Sequence, residues 1–278
     1  MRFSDSDIPE LAALLERAGA EQIMPRFRQL DNEDMTQKSA SWDVVTEADV
    51  VAERVIGSAL LERYPDARIV GEEAAAADPS TIKGLDQAAL AFVIDPIDGT
   101  FNFAAGMPTF GTMLAVIVNG ECVAGLIHYP ANNETLIGAA GAGSRLLDGA
   151  RQGRAVQVAE SVPLDQMVGT VSFGFMKGEA RRTAAGNLAK IGMPFALRCS
   201  AWEYRLAATG RVHFISAQHL MPWDHLAGVL IHAEAGGYTA CLDGTPYRPG
   251  NTDGGLITAC DRDSWELVRR EVLGLHHG

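Results

Sequence analysis

The stretch IDPIDGTFNF, residues 94–103, decides how this chain places its chemistry. It continues the apolar run 90–94, which is typical of a buried strand, so two aspartates stand where that strand ends. Pro96 fixes its own φ and has no N–H, and it therefore turns the chain between Asp95 and Asp98. We expect both carboxylates to point at one spot, where their repulsion calls for a proton or a cation.

Further acidic residues stand where other elements end. Glu72 and Glu73 follow the short strand-like run 68–70, and Asp224 lies in MPWDHLAG, residues 221–228. No His or Cys pair with metal-ligand spacing accompanies these acids. A donor set made only of oxygen favours Mg²⁺ over zinc.

Backbone N–H groups suited to an anion follow the same turn. Gly99 and Thr100 stand at a predicted helix start, where free N–H groups bind phosphate. Each fragment alone has a simpler interpretation, because Asp-Pro and Asp-Gly are ordinary turn dipeptides. The joint pattern favours a phosphate and metal site.

Composition excludes several classes of protein. The 278 residues include 23 Lys and Arg and 35 Asp and Glu, a net charge of −12, which argues against a nucleic-acid binder that uses a basic face. The N-terminus does not read as a signal peptide, and no apolar run approaches the roughly 20 residues that span a bilayer. We therefore expect a cytoplasmic protein that does not enter a membrane. The scattered spacing of the four cysteines predicts reduced thiols rather than a disulfide frame or a zinc site.

The patterning predicts an α+β fold of helices and hairpins packed in layers. Asn119-Gly120, between two alternating runs, is the strongest hairpin signal. A Gly- and Arg-rich stretch at 141–154 is taken as a subdomain seam. The predicted helices cover 5–29, 43–61, 178–191, 201–209, 223–235 and 262–273. The predicted strands cover 68–70, 90–94, 110–118, 121–129, 134–140, 154–159, 167–173, 195–198 and 212–216.

Together these motifs resemble the inositol monophosphatase family of lithium-sensitive, Mg²⁺-dependent phosphomonoesterases. The resemblance covers nearly the whole chain. It rests on Lys38 followed by WDVVTEAD (42–49), GEE (71–73), IDPIDGTFNF (94–103), WDHLAG (223–228) and EAGG (234–237). It implies one catalytic domain over 1–278, built as a layered α/β/α/β/α sandwich of the type shared with fructose-1,6-bisphosphatase. Residues 1–150 would carry the metal and phosphate motifs, and residues 151–278 would select the substrate and supply the last metal ligand.

The resemblance implies two to three Mg²⁺ ions in the active site. Glu72, Asp95 and the backbone carbonyl of Ile97 would hold the first ion. Asp95, Asp98 and Asp224 would hold the second. A third, looser ion would be bound through Glu72 and waters.

The resemblance also implies catalytic roles. Asp49 and Thr100 match the pair that orients the attacking water, and Glu72 joins them through its metals. Glu73 matches a second acid that supports the orientation of its neighbours. The implied reaction is hydrolysis of a small phosphomonoester by a metal-activated water.

Four residues would bind the phosphate end of the substrate. Lys38 lies where a basic residue flanks the metal entrance, and the N–H groups of Gly99 and Thr100 would hold the phosphate. Asp98 would contact the substrate as well as the metal. The assignments of Lys38 and Asp98 follow from the resemblance alone.

The sequence departs from the inositol-specific pattern at RCSAWEYR, residues 198–205. Inositol-specific relatives carry Gly-Ser/Thr-Ala-Ala there, and the acid that they use before Trp-Asp is missing from SAQHLMP, residues 216–222. Glu203, with Arg205 or Arg198, could therefore recognise another leaving group, such as an amine or a ribose. In the alternative interpretation Trp202, Tyr204 and Leu206 are core residues and Glu203 is a surface charge.

Several functions fit these observations. Inositol 1-phosphate is the family default, with histidinol phosphate and a 3′(2′),5′-bisphosphate nucleotide as alternatives for the same chemistry. A regulator that binds the transcription machinery is a different class, as is a structural protein that binds cations. The partners we expect are a small phosphorylated substrate and a second copy of the chain in a homodimer, with no nucleic acid and no membrane.

Overall fold

The computed structural model describes residues 3–29, 35–37, 44–149 and 153–276. Within those ranges no helix has both the length and the apolar character needed to cross a membrane. The helices are α1 (Ile8–Ala18), α2 (Glu47–Arg63), α3 (Glu72–Ala77), α4 (Thr100–Ala104), α5 (Gly178–Asn187), α6 (Ser200–Ala208), α7 (Pro222–Glu234) and α8 (Arg262–Leu267). π-helical turns at Gly19–Ile23 and Val268–Val272 extend α1 and α8.

The strands form two main sheets and a short hairpin. The strands are β1 (Met35–Gln37), β2 (Val44–Thr46), β3 (Arg68–Gly71), β4 (Leu90–Asp98), β5 (Gly111–Val118), β6 (Glu121–Tyr129), β7 (Glu134–Ala139), β8 (Gly143–Leu147), β9 (Gly153–Ala155), β10 (Val168–Val171), β11 (Met193–Pro194), β12 (Phe214–Ala217), β13 (Tyr238–Cys241) and β14 (Leu256–Ala259). The larger sheet has the order β3-β4-β5-β6-β7-β8-β9 and the smaller one β11-β10-β12-β14-β13. Strands β1 and β2 pair with each other.

Helices α1 and α2 cover one face of the larger sheet. Side chains of that face, including Phe92, Ile94 and Leu114, pack against Leu15 and Ile56 of these helices. The β4 side chains alternate between faces, so Val93 contacts the opposite cluster. Strand β4 is therefore buried on both faces, which fixes the position of the aspartates at its end.

Helices α6 and α7 form the central layer between the two sheets. Tyr204 and Ile231 of these helices share one cluster with Met113 of the larger sheet and Ile215 of the smaller sheet. The far face of the smaller sheet packs on Trp265 of α8 and its neighbours. The result is the predicted α/β/α/β/α sandwich, and the α+β fold class is confirmed.

Local predictions succeeded where the sequence signal was local. The hairpin at Asn119-Gly120 is present, and both residues have positive φ, 51° and 79°. The strand predicted at 195–198 is wrong, because the short strand lies at Met193–Pro194 and the following segment has no regular structure. The strand predicted at 154–159 is displaced to β9. Strands β1, β2, β8, β13 and β14 were not predicted, and β2 occupies the start of the helix predicted at 43–61. The division into subdomains stays a prediction.

Candidate metal and phosphate site

A bulge at the end of β4 brings its two aspartates together. In a regular strand Asp95 and Asp98 would point to opposite faces, since they are three residues apart. The register against β5 shifts between them, so the extra residue turns the second carboxylate toward the first. The Thr112 hydroxyl donates to the Pro96 carbonyl at 2.9 Å and fixes the bulge. Ligand oxygens of Asp95, Asp98 and Asp224 lie within 4.8 Å of one another.

Asp95 has a fully buried oxygen that no described protein group satisfies. Its side chain is 1% exposed, and its Oδ1 has no hydrogen-bond partner among the described residues. Burial raises the pKa of Asp95 well above its usual value, and the nearby Glu72, Asp98 and Asp224 add to the effect. A buried oxygen without a partner is costly unless a proton or cation reaches it. The oxygen-only donor set around it fits Mg²⁺.

Asp98 has one oxygen engaged by protein donors. Its Oδ2 accepts the Ala201 N–H at 2.6 Å and the Cys199 thiol at 2.9 Å. Burial raises the pKa of Asp98, while these donors and the Ser200 N–H oppose the shift. Its Oδ1 is then the oxygen left to face a cation. The ligands at the end of β4 are thus tied to the start of α6.

The remaining predicted ligands come from two helix starts. Asp224 lies half-buried in the first turn of α7, and Glu72 begins α3 directly after β3. Glu72 lies close enough to raise the pKa of Asp95, although it is outside the three-carboxylate cluster. The Ile97 carbonyl, a predicted ligand, accepts the Thr100 hydroxyl at 2.9 Å. The structure thus places all five predicted ligands around the ends of β3 and β4.

Glu53 of α2, which sequence reasoning missed, fixes the start of α3. Its carboxylate accepts the N–H groups of Glu73 and Ala74 at 2.8 and 3.0 Å. A Cβ at Gly71 would lie 2.1 Å from this carboxylate, so a larger residue there would push the Glu53 side chain away from these N–H groups. The spacing of Glu53 within α2 gave no signal, because its partner is 20 residues away in the chain.

Asp49 and Thr100 form the predicted pair. The Thr46 N–H and hydroxyl donate to Asp49 Oδ2 at 2.9 and 2.6 Å, which caps α2. The Thr100 hydroxyl lies 3.1 Å from Asp49 Oδ1. Asp49 is fully buried, and burial raises its pKa to about 6, with Glu73 adding to the effect. Only Oδ1 of Asp49 faces Thr100 and can exchange a proton with it.

Position 99 requires glycine for two reasons. Its φ of 86° lies in the left-handed region, and a Cβ there would meet the Thr109 carbonyl at 2.9 Å and Cys199 at 3.1 Å. The backbone at Gly99 and Thr100 can therefore approach a bound group closely. This geometry is compatible with the predicted phosphate role.

Glu203 is buried rather than a surface charge, so that part of the alternative interpretation is wrong. Its side chain is 8% exposed, and its carboxylate accepts the N–H groups of Leu197, at 3.4 Å, and Arg198. Burial raises the pKa of Glu203 to about 8, and the charge of Asp98 adds to the shift. Tyr204 is fully buried, as the core interpretation predicted. A direct contact between Glu203 and substrate stays a prediction.

Two histidines near Asp224 are engaged in structure. The His225 ring contacts the Tyr204 hydroxyl at 3.1 Å and the His219 carbonyl at 2.8 Å. Burial lowers the pKa of His225 to about 4, so the ring is neutral at pH 7. Lys38, the predicted basic residue, lies outside the described residues.

Comparisons with known proteins agree with this geometry. The sequence profile of the Inositol monophosphatase family matches residues 6–272. A fructose-1,6-bisphosphatase/inositol-1-monophosphatase of Thermotoga maritima is 32% identical over 80% of each chain. The Nus factor SuhB of Escherichia coli is 28% identical over 84% of this chain and 85% of its own.

A solved structure shows the same fold. The inositol monophosphatase of Thermotoga maritima superposes with a TM-score of 0.77 at 27% identity, over 97% of this chain and 96% of that one. Phosphatases of this kind act on small phosphorylated substrates. Matching profile, fold and carboxylate cluster together show that the chain is a phosphatase that belongs to the inositol monophosphatase family.

Proposed function

We propose that this protein hydrolyses a small phosphomonoester in a Mg²⁺-dependent reaction. The observation that carries the proposal is the fully buried Asp95, whose Oδ1 has no hydrogen-bond partner in the described part of the chain and which shares a 4.8 Å cluster with Asp98 and Asp224. Another buried carboxylate, that of Glu203, is satisfied by backbone donors instead. Asp95 is therefore built to face a cation.

The residues present fit two to three Mg²⁺ ions. Glu72, Asp95 and the Ile97 carbonyl would hold one ion, Asp95, Asp98 and Asp224 a second, and Glu72 a third. Bound Mg²⁺ supplies positive charge to the phosphoryl group and makes a water molecule more acidic.

Asp49 and Thr100 can orient and deprotonate the attacking water. The Thr100 hydroxyl has one proton, which it can give either to the Ile97 carbonyl or to Asp49 Oδ1. When it donates to Asp49, its oxygen can accept a proton from water. Asp49 Oδ2 already accepts two hydrogen bonds from Thr46, so Oδ1 is the oxygen that can receive the Thr100 proton. The pair positions the nucleophile and needs Asp49 ionised at the start.

Gly99 and Thr100 would hold the phosphate through their N–H groups, and Asp98 would border it. The close approach allowed at Gly99 supports this assignment. Lys38 would add positive charge at the entrance. Inhibition by lithium, a homodimer and a cytoplasmic location stay predictions from the resemblance.

A phosphate-release screen tests the proposal. Metal-stripped protein is assayed with inositol 1-phosphate, histidinol phosphate, fructose 1,6-bisphosphate and adenosine 3′,5′-bisphosphate, with Mg²⁺ and with EDTA. We expect Mg²⁺-dependent release from at least one compound. Absence of release from all four, in protein that binds Mg²⁺, would overturn the proposed reaction and favour the regulatory alternative, since one relative is named a Nus factor.

A further inference from the structure

A short loop that displays one arginine lies beside the carboxylate cluster. We call residues 197–199 the arginine loop. The Asn102 amide donates to the Leu197 carbonyl at 2.9 Å, and Glu203 accepts the N–H groups of Leu197 and Arg198. The Cys199 thiol donates to Asp98. Side chains from two helices and the end of β4 therefore fix three successive residues.

The conformation of Arg198 is unusual. Its φ is 55°, a left-handed value that residues other than glycine rarely adopt. Non-glycine residues persist in such conformations where the surroundings hold them, and these positions cluster at active sites and ligand clamps. The contacts of Glu203 and Asn102 are what hold this one.

Arg198 is an exposed residue, and its guanidinium lies on the ring of the residue that follows Thr100. Its Cζ is 3.8 Å from the centre of the Phe101 ring, a cation–π contact. Phe101 follows Thr100, and Cys199, which contacts the ligand Asp98, follows Arg198. The guanidinium is therefore held on Phe101, while the backbone of Arg198 is adjacent to a residue that contacts a predicted metal ligand.

The chemistry of this arrangement favours an anionic leaving group. A planar guanidinium on an aromatic ring keeps its N–H donors in a fixed fork that matches the oxygens of phosphate or carboxylate. The carboxylates of the site repel a second negative group on the substrate. A cationic side chain near the leaving group would offset this repulsion.

Resting on the proposed function, we infer that Arg198 is a specificity-determining residue that recognises a second oxyanion, phosphate or carboxylate, on the leaving group of the substrate. Glu203 is then a positioning residue that acts through the arginine loop. This role explains why a buried acid stands where inositol-specific relatives have small residues, without placing it against the substrate.

Two matched substrate pairs test the inference. Adenosine 3′,5′-bisphosphate is compared with adenosine 3′-monophosphate, and 2-phosphoglycerate with glycerol 2-phosphate. The two pairs distinguish a second phosphate from a carboxylate. The protein variants are R198G, which suits the left-handed backbone, R198K, which keeps the charge without the fork, and R154A as an exposed control on β9, at the far edge of the larger sheet.

We expect the wild type to prefer the doubly anionic member of at least one pair. In R198G, kcat/KM for that member should fall about 10- to 100-fold, and for its partner only a few-fold, so that the preference is lost. R198K should retain part of the preference, and R154A all of it. Equal losses on both members, or an unchanged preference in R198G, would overturn the assignment of Arg198.

A binding measurement separates this inference from the proposed function. Calorimetry with Ca²⁺ in place of Mg²⁺ measures the affinity of wild type and R198G for adenosine 3′,5′-bisphosphate and 2-phosphoglycerate. Weaker binding by R198G of a compound that the wild type binds would support the assignment even if no phosphate is released. If the wild type binds neither compound, or R198G binds both as tightly as the wild type, the assignment is wrong whatever the hydrolysis assay gives.

Discussion

The end of β4 and the arginine loop both contain buried carboxylates, and they use them in opposite ways. Among the residues that the structure describes, none donates to one oxygen of Asp95, while the carboxylate of Glu203 accepts backbone N–H groups. Both are desolvated and both have raised pKa values. Burial of an acid therefore does not identify its role. Whether its oxygens accept hydrogen bonds from protein groups does. The first region is built to face a cation and the second to hold a backbone.

Asn substitution at Asp95 should give the largest effect. D95N removes the charge from the carboxylate that would face two cations, so we expect phosphate release to fall about 1000-fold, equivalent to about 4 kcal/mol in the barrier. The metal-free variant should unfold at the same temperature as the wild type or higher, because one charge leaves a repelling cluster.

The exposed Asp66 provides the matched control for this substitution. D66N should retain wild-type activity and stability. If D95N kept more than about a tenth of the wild-type rate, a barrier change below roughly 1.4 kcal/mol, Asp95 would not be the shared ligand.

Asp49 should give the next largest effect. D49N cannot accept the Thr100 proton, so we expect kcat to fall about 100-fold. Burial raises the pKa of Asp49 to about 6, and the ionised form is the active one. The wild-type rate should therefore fall as the pH drops below about 6. The residual rate of D49N should not follow that profile, and an identical acid limb in both proteins would assign the titration to another group.

The sequence predicted the first region well and the second poorly, for a physical reason. Asp95, Pro96 and Asp98 interact locally, so the motif itself encodes the bulge that joins them. Glu203 and Asn102 act on a loop that is remote from Asn102 in the chain, and their partners are backbone atoms that leave no pattern in the side chains. The strand wrongly predicted at 195–198 is this same loop, whose backbone bonds to side chains rather than to another strand.

Substitution of Glu203 by Gln and by Ala distinguishes the role of its charge from its role as a hydrogen-bond acceptor for the arginine loop. E203A leaves part-buried N–H groups of the arginine loop without an acceptor, so we expect the unfolding free energy to drop by about 1 kcal/mol. The kcat/KM for the preferred substrate should fall about 10-fold, through KM more than kcat. E203Q retains an oxygen acceptor and should stay within about threefold of the wild type at pH 7. Equal losses in both variants would place the carboxylate itself against the substrate.

The wild type and E203Q should also differ in how their stability changes with pH. The pKa of Glu203 is raised from 4.5 to about 8 in the folded protein, so its contribution to stability is fully present below pH 4.5 and is lost as the pH rises through 8. E203Q has no such titration. Its melting temperature relative to the wild type should therefore rise between pH 5 and pH 9, and a constant difference would contradict a raised pKa.

Cys199 should give the smallest effect. C199A removes one of the donors to Asp98 Oδ2 while the Ala201 N–H remains, so we expect about a threefold loss of kcat/KM for any substrate. C199S keeps a donor of similar size and should be closer to the wild type. If C199A changed the preference between the matched substrates, Cys199 would act through the arginine loop rather than through Asp98.

The most direct test of the contrast between Asp95 and Glu203 is a calorimetric titration with Mg²⁺. Metal-stripped wild type, D95N and E203Q are titrated at pH 7.5 under the same ionic strength. We expect the wild type and E203Q to bind Mg²⁺ with the same affinity and stoichiometry, and D95N to lose measurable binding. Undiminished binding by D95N, or loss of binding by E203Q, would contradict the claim that the unsatisfied carboxylate holds the metal and the satisfied one holds the loop.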